Sequence, residues 1–181
     1  MGPEPEAVER ARIGGAALDA LIEQIWPDAF RLSFAILHDR GLAEDAAQEA
    51  CATIARRLDS LRANSAFSVW SCRIVARHAL DVARRRPRTL SLADAGACVA
   101  PAAGADALDL HAALASLDPR RRAVILLHYY AGLSSGEIAG VLGVSPATVR
   151  FHLMRARAAL RRALTVSISP PSANEVLTDA P

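Results

Sequence analysis

Three helix starts in the second half of the chain constrain its fold more than any other feature of the sequence. Asp118-Pro119 places a capping carboxylate directly before a proline at the first helical position, and Ser145-Pro146 repeats this arrangement with a hydroxyl. Ser134 is followed three residues later by Glu137, which is the spacing of a capping box. These signals predict helices that begin directly after each cap.

A glycine turn separates the last two of these predicted helices. Gly143 can adopt the left-handed conformation that ends one helix and turns the chain sharply into the next. A short helix, a glycine turn and a longer helix form the helix-turn-helix unit that binds duplex DNA. The predicted helices of this half cover residues 107–116, 119–130, 135–142 and 146–164.

The last of these helices has two different faces. An apolar stripe at helical spacing can pack on the preceding helix, and it comprises Val149, Leu153, Ala156 and Leu160. The opposite side is mainly basic and carries Arg150, Phe151, Met154, Arg155 and Arg157. In a helix-turn-helix, residues near the start of such a helix meet base edges and arginines further along neutralise phosphates. The alternative is an ordinary solvated basic face.

Charge is distributed in blocks along the chain. The net charge is only +2, but residues 65–88 carry 6 Arg against 1 Asp, and residues 118–164 carry 8 Arg against 2 acidic residues. The other segments, 1–64, 89–117 and 165–181, are net acidic. Two separate basic segments are expected if the protein contacts a polyanion at two places.

The first half of the chain also has a helical pattern. Residues 1–15 are polar and contain proline and glycine, which predicts a loose lead-in. Apolar residues then recur at helical spacing over 16–37, with a break or kink predicted at Pro27. Two further helices are predicted at 42–61 and 67–86, and Asn64-Ser65 offers a cap for the second of them. Alanine and leucine richness favours helices over sheets.

A segment of small residues, proline and glycine separates the two halves. Residues 89–106 have no sustained periodicity and predict a flexible linker, which is too long for an ordinary loop inside one core. The last residues, 165–181, have the composition of a disordered tail. The sequence therefore predicts an all-α protein with two small helical domains, 16–88 and 107–164, the second containing the helix-turn-helix.

Other classes of site are not indicated. Cys51, Cys72 and Cys98 have no metal-like spacing, the five histidines are scattered, and no nucleophile–base pair or phosphate loop is evident. We therefore expect no enzyme activity, metal, cofactor or small-molecule substrate. The N-terminus has no signal pattern, and no apolar run approaches the roughly 20 residues that span a bilayer, which predicts a cytoplasmic protein without membrane insertion.

The second half resembles a known family. The stretches EIAGVLGVS and RARAALR are similar to the C-terminal promoter-reading domain of extracytoplasmic-function (ECF) sigma factors of the sigma-70 family. The resemblance implies that this domain reads the minus-35 promoter element, through Arg150, Phe151, Met154 and Arg155, with Arg157 further along. Phe151 and His152 depart from the family's usual small polar and arginine residues, so no promoter sequence is predicted.

The segment LAEDAAQEA at 42–50 is similar to the polymerase-binding motif of the same family. The resemblance implies that Asp45, Gln48 and Glu49 face the clamp helices of the largest subunit of core RNA polymerase. Spacings of three and four put these side chains on one polar face of a helix. The alternative for this motif taken alone is a solvated acidic face.

The helix 67–86 is similar to the family's segment that melts and captures the minus-10 element. Trp70 offers a stacking surface for an unpaired base, and nearby arginines offer phosphate contacts. These arginines are Arg73, Arg77, Arg84, Arg85 and Arg86. Cys72 and Arg77 depart from the family's usual residues, and Trp70 could instead belong to the core.

The leading hypothesis is therefore a sigma factor that binds core RNA polymerase and promoter DNA and is controlled by an anti-sigma factor. A second hypothesis is a helix-turn-helix regulator that acts on operators without polymerase. A third is a sigma-like adaptor or decoy that binds a regulatory protein and starts no transcription.

Overall fold

The structure is a computed structural model that describes residues 2–85, 110 and 112–168. Over these ranges the chain forms α-helices joined by turns, with no strand. The helices are α1 (Pro5–Ala11), α2 (Ala16–Leu37), α3 (Arg40–Arg57), α4 (Phe67–Arg85), α5 (Pro119–Tyr129), α6 (Ser135–Leu142) and α7 (Pro146–Ile168). The predicted linker, 89–106, lies outside the described residues, as do Arg86, Cys98 and positions 169–181 of the predicted tail.

The predicted helix starts of the second half are confirmed. Asp118 Oδ1 accepts a hydrogen bond from the backbone N–H of Arg121 at 3.0 Å, and Ser134 and Glu137 form the reciprocal capping box. Gly143 has a φ of 65°, in the left-handed region where a residue with a side chain would be strained. Helices α6 and α7 and this turn therefore form the predicted helix-turn-helix, although α7 continues four residues beyond the predicted end at 164.

The prediction that residues 1–15 form a loose lead-in was wrong. Residues Pro5–Ala11 form helix α1, whose Val8 and Ala11 are buried against the rest of the first half. Arg12 follows the helix and donates a hydrogen bond to the carbonyl oxygen of Leu61 at 2.6 Å. One proline at the helix start and one short apolar face are enough to form and dock this helix.

Pro27 does not break α2. A proline inside a helix removes one backbone hydrogen bond and crowds the preceding turn, which costs about 3 kcal/mol. The residues on both sides of Pro27 are held by the core, since Leu21, Ile25, Ala29 and Leu32 are all buried. Packing on both sides therefore keeps Ala16–Leu37 as one helix.

The junction between α3 and α4 also differs from the prediction. Helix α3 ends at Arg57, and two 3-10 turns, Leu58–Ser60 and Asn64–Ala66, lead from it to α4. Asn64 was predicted to cap α4, but its side chain joins α1 instead. Its Nδ2 donates to Glu9 Oε2 at 2.7 Å, and its Oδ1 accepts from Arg12 at 3.0 Å. Asn64 therefore bonds to residues that are distant in sequence instead of capping α4.

The two helical domains pack directly on each other. Helices α1 to α4 share one set of buried apolar side chains, α5 to α7 share another, and the two sets form a continuous cluster. Arg122 on α5 is 5% exposed and joins the domains, because its guanidinium donates to the carbonyl oxygens of Ile36 and Leu117, each at 2.7 Å. Helix α4 lies beside α5 and α6 at this joint.

Candidate nucleic-acid interface

The outward face of α7 carries the predicted base-reading residues. Val149, Leu153 and Ala156 are buried against the domain, as the apolar stripe predicted. The residues on the other side are all exposed, and they are Arg150, Phe151, Met154, Arg155 and Arg157. We call this set the α7 outward face. It presents three guanidinium groups together with two large apolar side chains.

Aromatic contacts position two of these arginines. The guanidinium carbon of Arg155 lies 5.7 Å from the centroid of the Phe151 ring, and that of Arg157 lies 5.4 Å from the Tyr129 ring at the end of α5. Both separations fit cation–π interactions, which limit the freedom of a long side chain. Tyr129 is itself exposed and was not a predicted site residue, because nothing in the sequence brings it next to Arg157.

His152 lies on the inner side of α7. Its side chain is half-buried, and its Nδ1 is buried without a hydrogen-bond partner. Burial lowers the pKa of His152 from its ordinary value, and the nearby positive charge of Arg120 lowers it further. Of the two departures from the family pattern in this helix, only Phe151 therefore belongs to the α7 outward face.

Three of the predicted residues of α4 share one cleft. Trp70, Arg73 and Arg77 line a cleft of about 540 Å³ whose opposite wall is α6, with Gly136 and Gly140. We call this set of three residues the α4 inner face. Trp70 is half-buried, and its ring centroid lies 6.0 Å from that of Phe67. The sequence did not indicate that this face would lie against the helix-turn-helix.

One ion pair crosses this cleft. Arg73 Nη2 donates to Glu137 Oε1 at 2.5 Å, and both side chains are about 40% exposed. The Ser134 backbone and hydroxyl lower the pKa of Glu137, and the charge of Arg73 adds to the effect. Since the pair is largely solvated, its contribution to stability is small, at about 0–1 kcal/mol. Its importance is positional, because it joins a predicted minus-10 residue to the capping box of α6.

The remaining arginines of α4 lie elsewhere. Arg84 forms an ion pair with Asp81 one turn earlier and lines a second cleft with Arg77 and Arg120. Arg85 is exposed near the start of α3. The structure therefore does not bring all the predicted minus-10 arginines onto one surface.

The predicted polymerase-binding residues lie on the outer face of α3. Asp45, Gln48 and Glu49 are exposed, while the alanines on the opposite face of the helix are buried. Asp45 and Glu49 line an open depression that also includes Arg85 of α4. The predicted single polar face is therefore present and accessible.

The described residues show neither a group of metal ligands nor a reactive cysteine. His, Cys, Asp and Glu side chains among them form no group suited to a metal ion. Cys51 is buried, and burial raises the pKa of Cys72 to about 11, so its thiol stays protonated near neutral pH. None of the helices in these ranges is both long and apolar enough to span a membrane.

Known proteins match this chain in both halves. Residues 21–89 match sigma-70 region 2, and residues 107–160 match sigma-70, region 4. The ECF RNA polymerase sigma factor SigC of Mycobacterium tuberculosis is 31% identical over 162 residues, which cover 85% of this chain and 86% of that protein. The chain belongs to the sigma-70 family. Region 2 therefore comprises α2 to α4, and region 4 comprises α5 to α7.

Other matches agree on the family and on the fold. The probable RNA polymerase sigma factor RfaY of Xanthomonas campestris is 34% identical over 146 residues, which cover 74% of this chain. The match covers only 36% of RfaY, so the chain spans about a third of that relative's length. The sigma factor RpoE from Bartonella quintana, solved with the anti-sigma factor NepR, has the same fold. Its TM-score is 0.67 at 22% identity, covering 82% of this chain and 97% of that chain.

Proposed function

We propose that this protein is an ECF sigma factor that binds core RNA polymerase and directs it to promoters. The observation that carries the proposal is the joint presence of regions 2 and 4, in that order, with the α7 outward face exposed on region 4. In this function the protein supplies binding surfaces and no catalytic group, and it acts in the cytoplasm.

Region 2 supplies the contact with polymerase in this proposal. Asp45, Gln48 and Glu49 bind the clamp helices of the largest subunit, which agrees with their exposure on one face of α3. The α4 inner face then captures the exposed bases of the minus-10 element, with Trp70 stacking on a base and Arg73 and Arg77 contacting the backbone. Arg84, Arg85 and Arg86 contribute further phosphate contacts.

Region 4 supplies the contact with duplex DNA. The α7 outward face enters the major groove at the minus-35 element, where its arginines reach bases and phosphates. An anti-sigma factor controls the protein in this proposal, which is supported by the complex of RpoE with NepR. Such a partner would act by covering the binding surfaces of either region.

The test is reconstitution with core RNA polymerase, followed by mapping of transcript starts on genomic DNA. We expect discrete starts that share upstream motifs. The variant Asp45→Arg should lose polymerase binding and all of these starts, because it reverses a charge on the proposed contact surface. Glu23→Arg is the matched control, since Glu23 is an exposed acidic residue of α2 outside the proposed interface.

The outcomes also separate the other hypotheses. Specific binding to duplex DNA without polymerase, and no transcripts with it, would indicate a helix-turn-helix regulator instead. Binding to an anti-sigma protein with no transcripts on any template would indicate an adaptor or decoy. If Asp45→Arg and Glu23→Arg supported transcription equally, the proposed polymerase contact would be wrong.

A further inference from the structure

The α7 outward face exposes apolar surface that the fold does not use. Phe151 is 51% exposed and Met154 is 58% exposed, and their spacing of three residues places them side by side on one face of the helix. The core beneath them is already filled by Val149, Leu153 and Ala156 on the opposite side. Neither side chain is therefore needed to hold α7 in place.

The charges around these two residues favour a polyanion as the occupant. Arg150, Arg155 and Arg157 are exposed on the same face, and no acidic side chain lies on the described part of α7. Arg155 holds its guanidinium 5.7 Å from the centroid of the Phe151 ring. This arrangement fits duplex DNA. The arginines at the edge can contact phosphates, while Phe151 and Met154 at the centre can contact the base edges on the floor of the groove.

In the major groove, thymine is the base that presents an apolar substituent. The 5-methyl group of thymine is the partner for apolar side chains there, whereas the other base edges present hydrogen-bond donors and acceptors. Because polar side chains are absent at positions 151 and 154, these positions cannot read bases by hydrogen bonds. They can discriminate only through apolar contact.

We infer that Phe151 and Met154 are specificity-determining residues that read thymine methyl groups in the upstream promoter element. This inference rests on the proposed function. Arg155 is a positioning residue in this arrangement, because its contact with the Phe151 ring limits the rotation of both side chains. The element this protein reads therefore contains thymines at the positions that face the start of α7.

The test removes single methyl groups from the DNA. In a promoter mapped by the reconstitution, each upstream thymine is replaced in turn by deoxyuridine, which lacks only the 5-methyl group. Binding of the holoenzyme is then measured. We expect a loss of about three- to fivefold in affinity at one or two positions, the size expected from burying one methyl group.

Variants of the protein show which side chain is responsible for that loss of affinity. Phe151→Ala and Met154→Ala should each bind thymine and deoxyuridine promoters equally at one of these positions, while Phe151→Leu should keep part of the preference. Ile13→Ala is the control, because Ile13 is 88% exposed and lies between α1 and α2, far in sequence from region 4. It should show the wild-type deoxyuridine profile.

Several results would overturn the inference. If the wild-type protein initiated transcription yet tolerated every deoxyuridine, the sigma function would stand and the reading of methyl groups would be wrong. Phe151→Ala could retain the full preference, with the same consequence. If Phe151→Ala bound DNA normally but lost an anti-sigma protein, the apolar centre would be a protein contact instead. Complete absence of transcripts from the wild type would remove both the function and the inference.

Discussion

The two surfaces proposed to bind DNA differ in their accessibility. The α7 outward face of region 4 is exposed, with its arginines and its two apolar side chains directed away from the domain. The α4 inner face of region 2 lines a cleft against α6, and Arg73 is paired with Glu137 across it. Region 4 can therefore meet duplex DNA in this arrangement, whereas base capture by region 2 requires α4 and α6 to separate.

Because of this difference, the packing of region 2 against region 4 affects both stability and access to the α4 inner face. The α4 inner face and the capping box of α6 belong to two different proposed binding units, yet they meet in one cleft. The ion pair that crosses the cleft is largely solvated, so breaking it costs little. The buried contact of Arg122 is the stronger connection between the domains.

The largest expected effect comes from breaking that stronger connection. Arg122→Met keeps most of the side-chain volume but leaves the carbonyl oxygens of Ile36 and Leu117 buried without their donor. We expect the free energy of unfolding to fall by about 2–4 kcal/mol, because an unsatisfied buried polar group keeps its full desolvation cost. Urea unfolding followed by circular dichroism measures the change.

Arg120→Met is the matched control for this change. Arg120 lies on the same helix and is exposed, with one long hydrogen bond of 3.3 Å to the carbonyl oxygen of Leu142. Its loss should change the free energy of unfolding by no more than about 0.5 kcal/mol. Equal effects of the two substitutions would show that Arg122 does not hold the domains together in solution.

A smaller effect tests the width of the cleft. Gly140 lies within α6 on the wall that faces α4, and a Cβ added there meets no atom within 4 Å. Gly140→Ala should therefore raise the free energy of unfolding by about 0.5–1 kcal/mol, because alanine loses less backbone entropy in a helix. Thermal or urea unfolding measures this gain. A loss instead would mean that α4 and α6 approach more closely than this structure shows.

Gly143→Ala is the contrasting variant in the same motif. Space is also available at Gly143, but its φ of 65° strains any residue with a Cβ. This substitution should lower the free energy of unfolding by about 1–2 kcal/mol. The two glycines thus separate the effect of conformation from the effect of contact with α4.

Features that depend on near neighbours in the sequence could be predicted from it. The caps at Asp118 and Ser134 and the turn at Gly143 were predicted because each involves residues within a few positions of one another. The exposure of the α7 outward face followed in the same way from helical periodicity. Family resemblance extended these local patterns to the order of the two regions, which the matches to sigma-70 regions 2 and 4 confirm.

Features that depend on a partner distant in the sequence could not be predicted from it. Three consecutive arginines occupy positions 120–122, and nothing local indicates that only Arg122 is buried and bonded to Ile36, 86 residues away. Asn64 was assigned to a cap because its partner Glu9 belongs to a helix that was not predicted. The meeting of Trp70 with α6 depends on how two domains pack, which helical periodicity within one domain does not encode.

The smallest expected effect sharpens the contrast between the two sides of α7. Burial and the positive charges of Arg120 and Arg121 lower the pKa of His152, and Asp118 opposes them. Below its ordinary pKa of about 6.5, the unfolded chain binds a proton that the folded protein binds less readily. The free energy of unfolding should therefore rise as the pH rises through this value, and His152→Gln should weaken that dependence. Thermal unfolding between about pH 5 and pH 8 measures it, and an unchanged dependence in the variant would place His152 on the solvated side of α7.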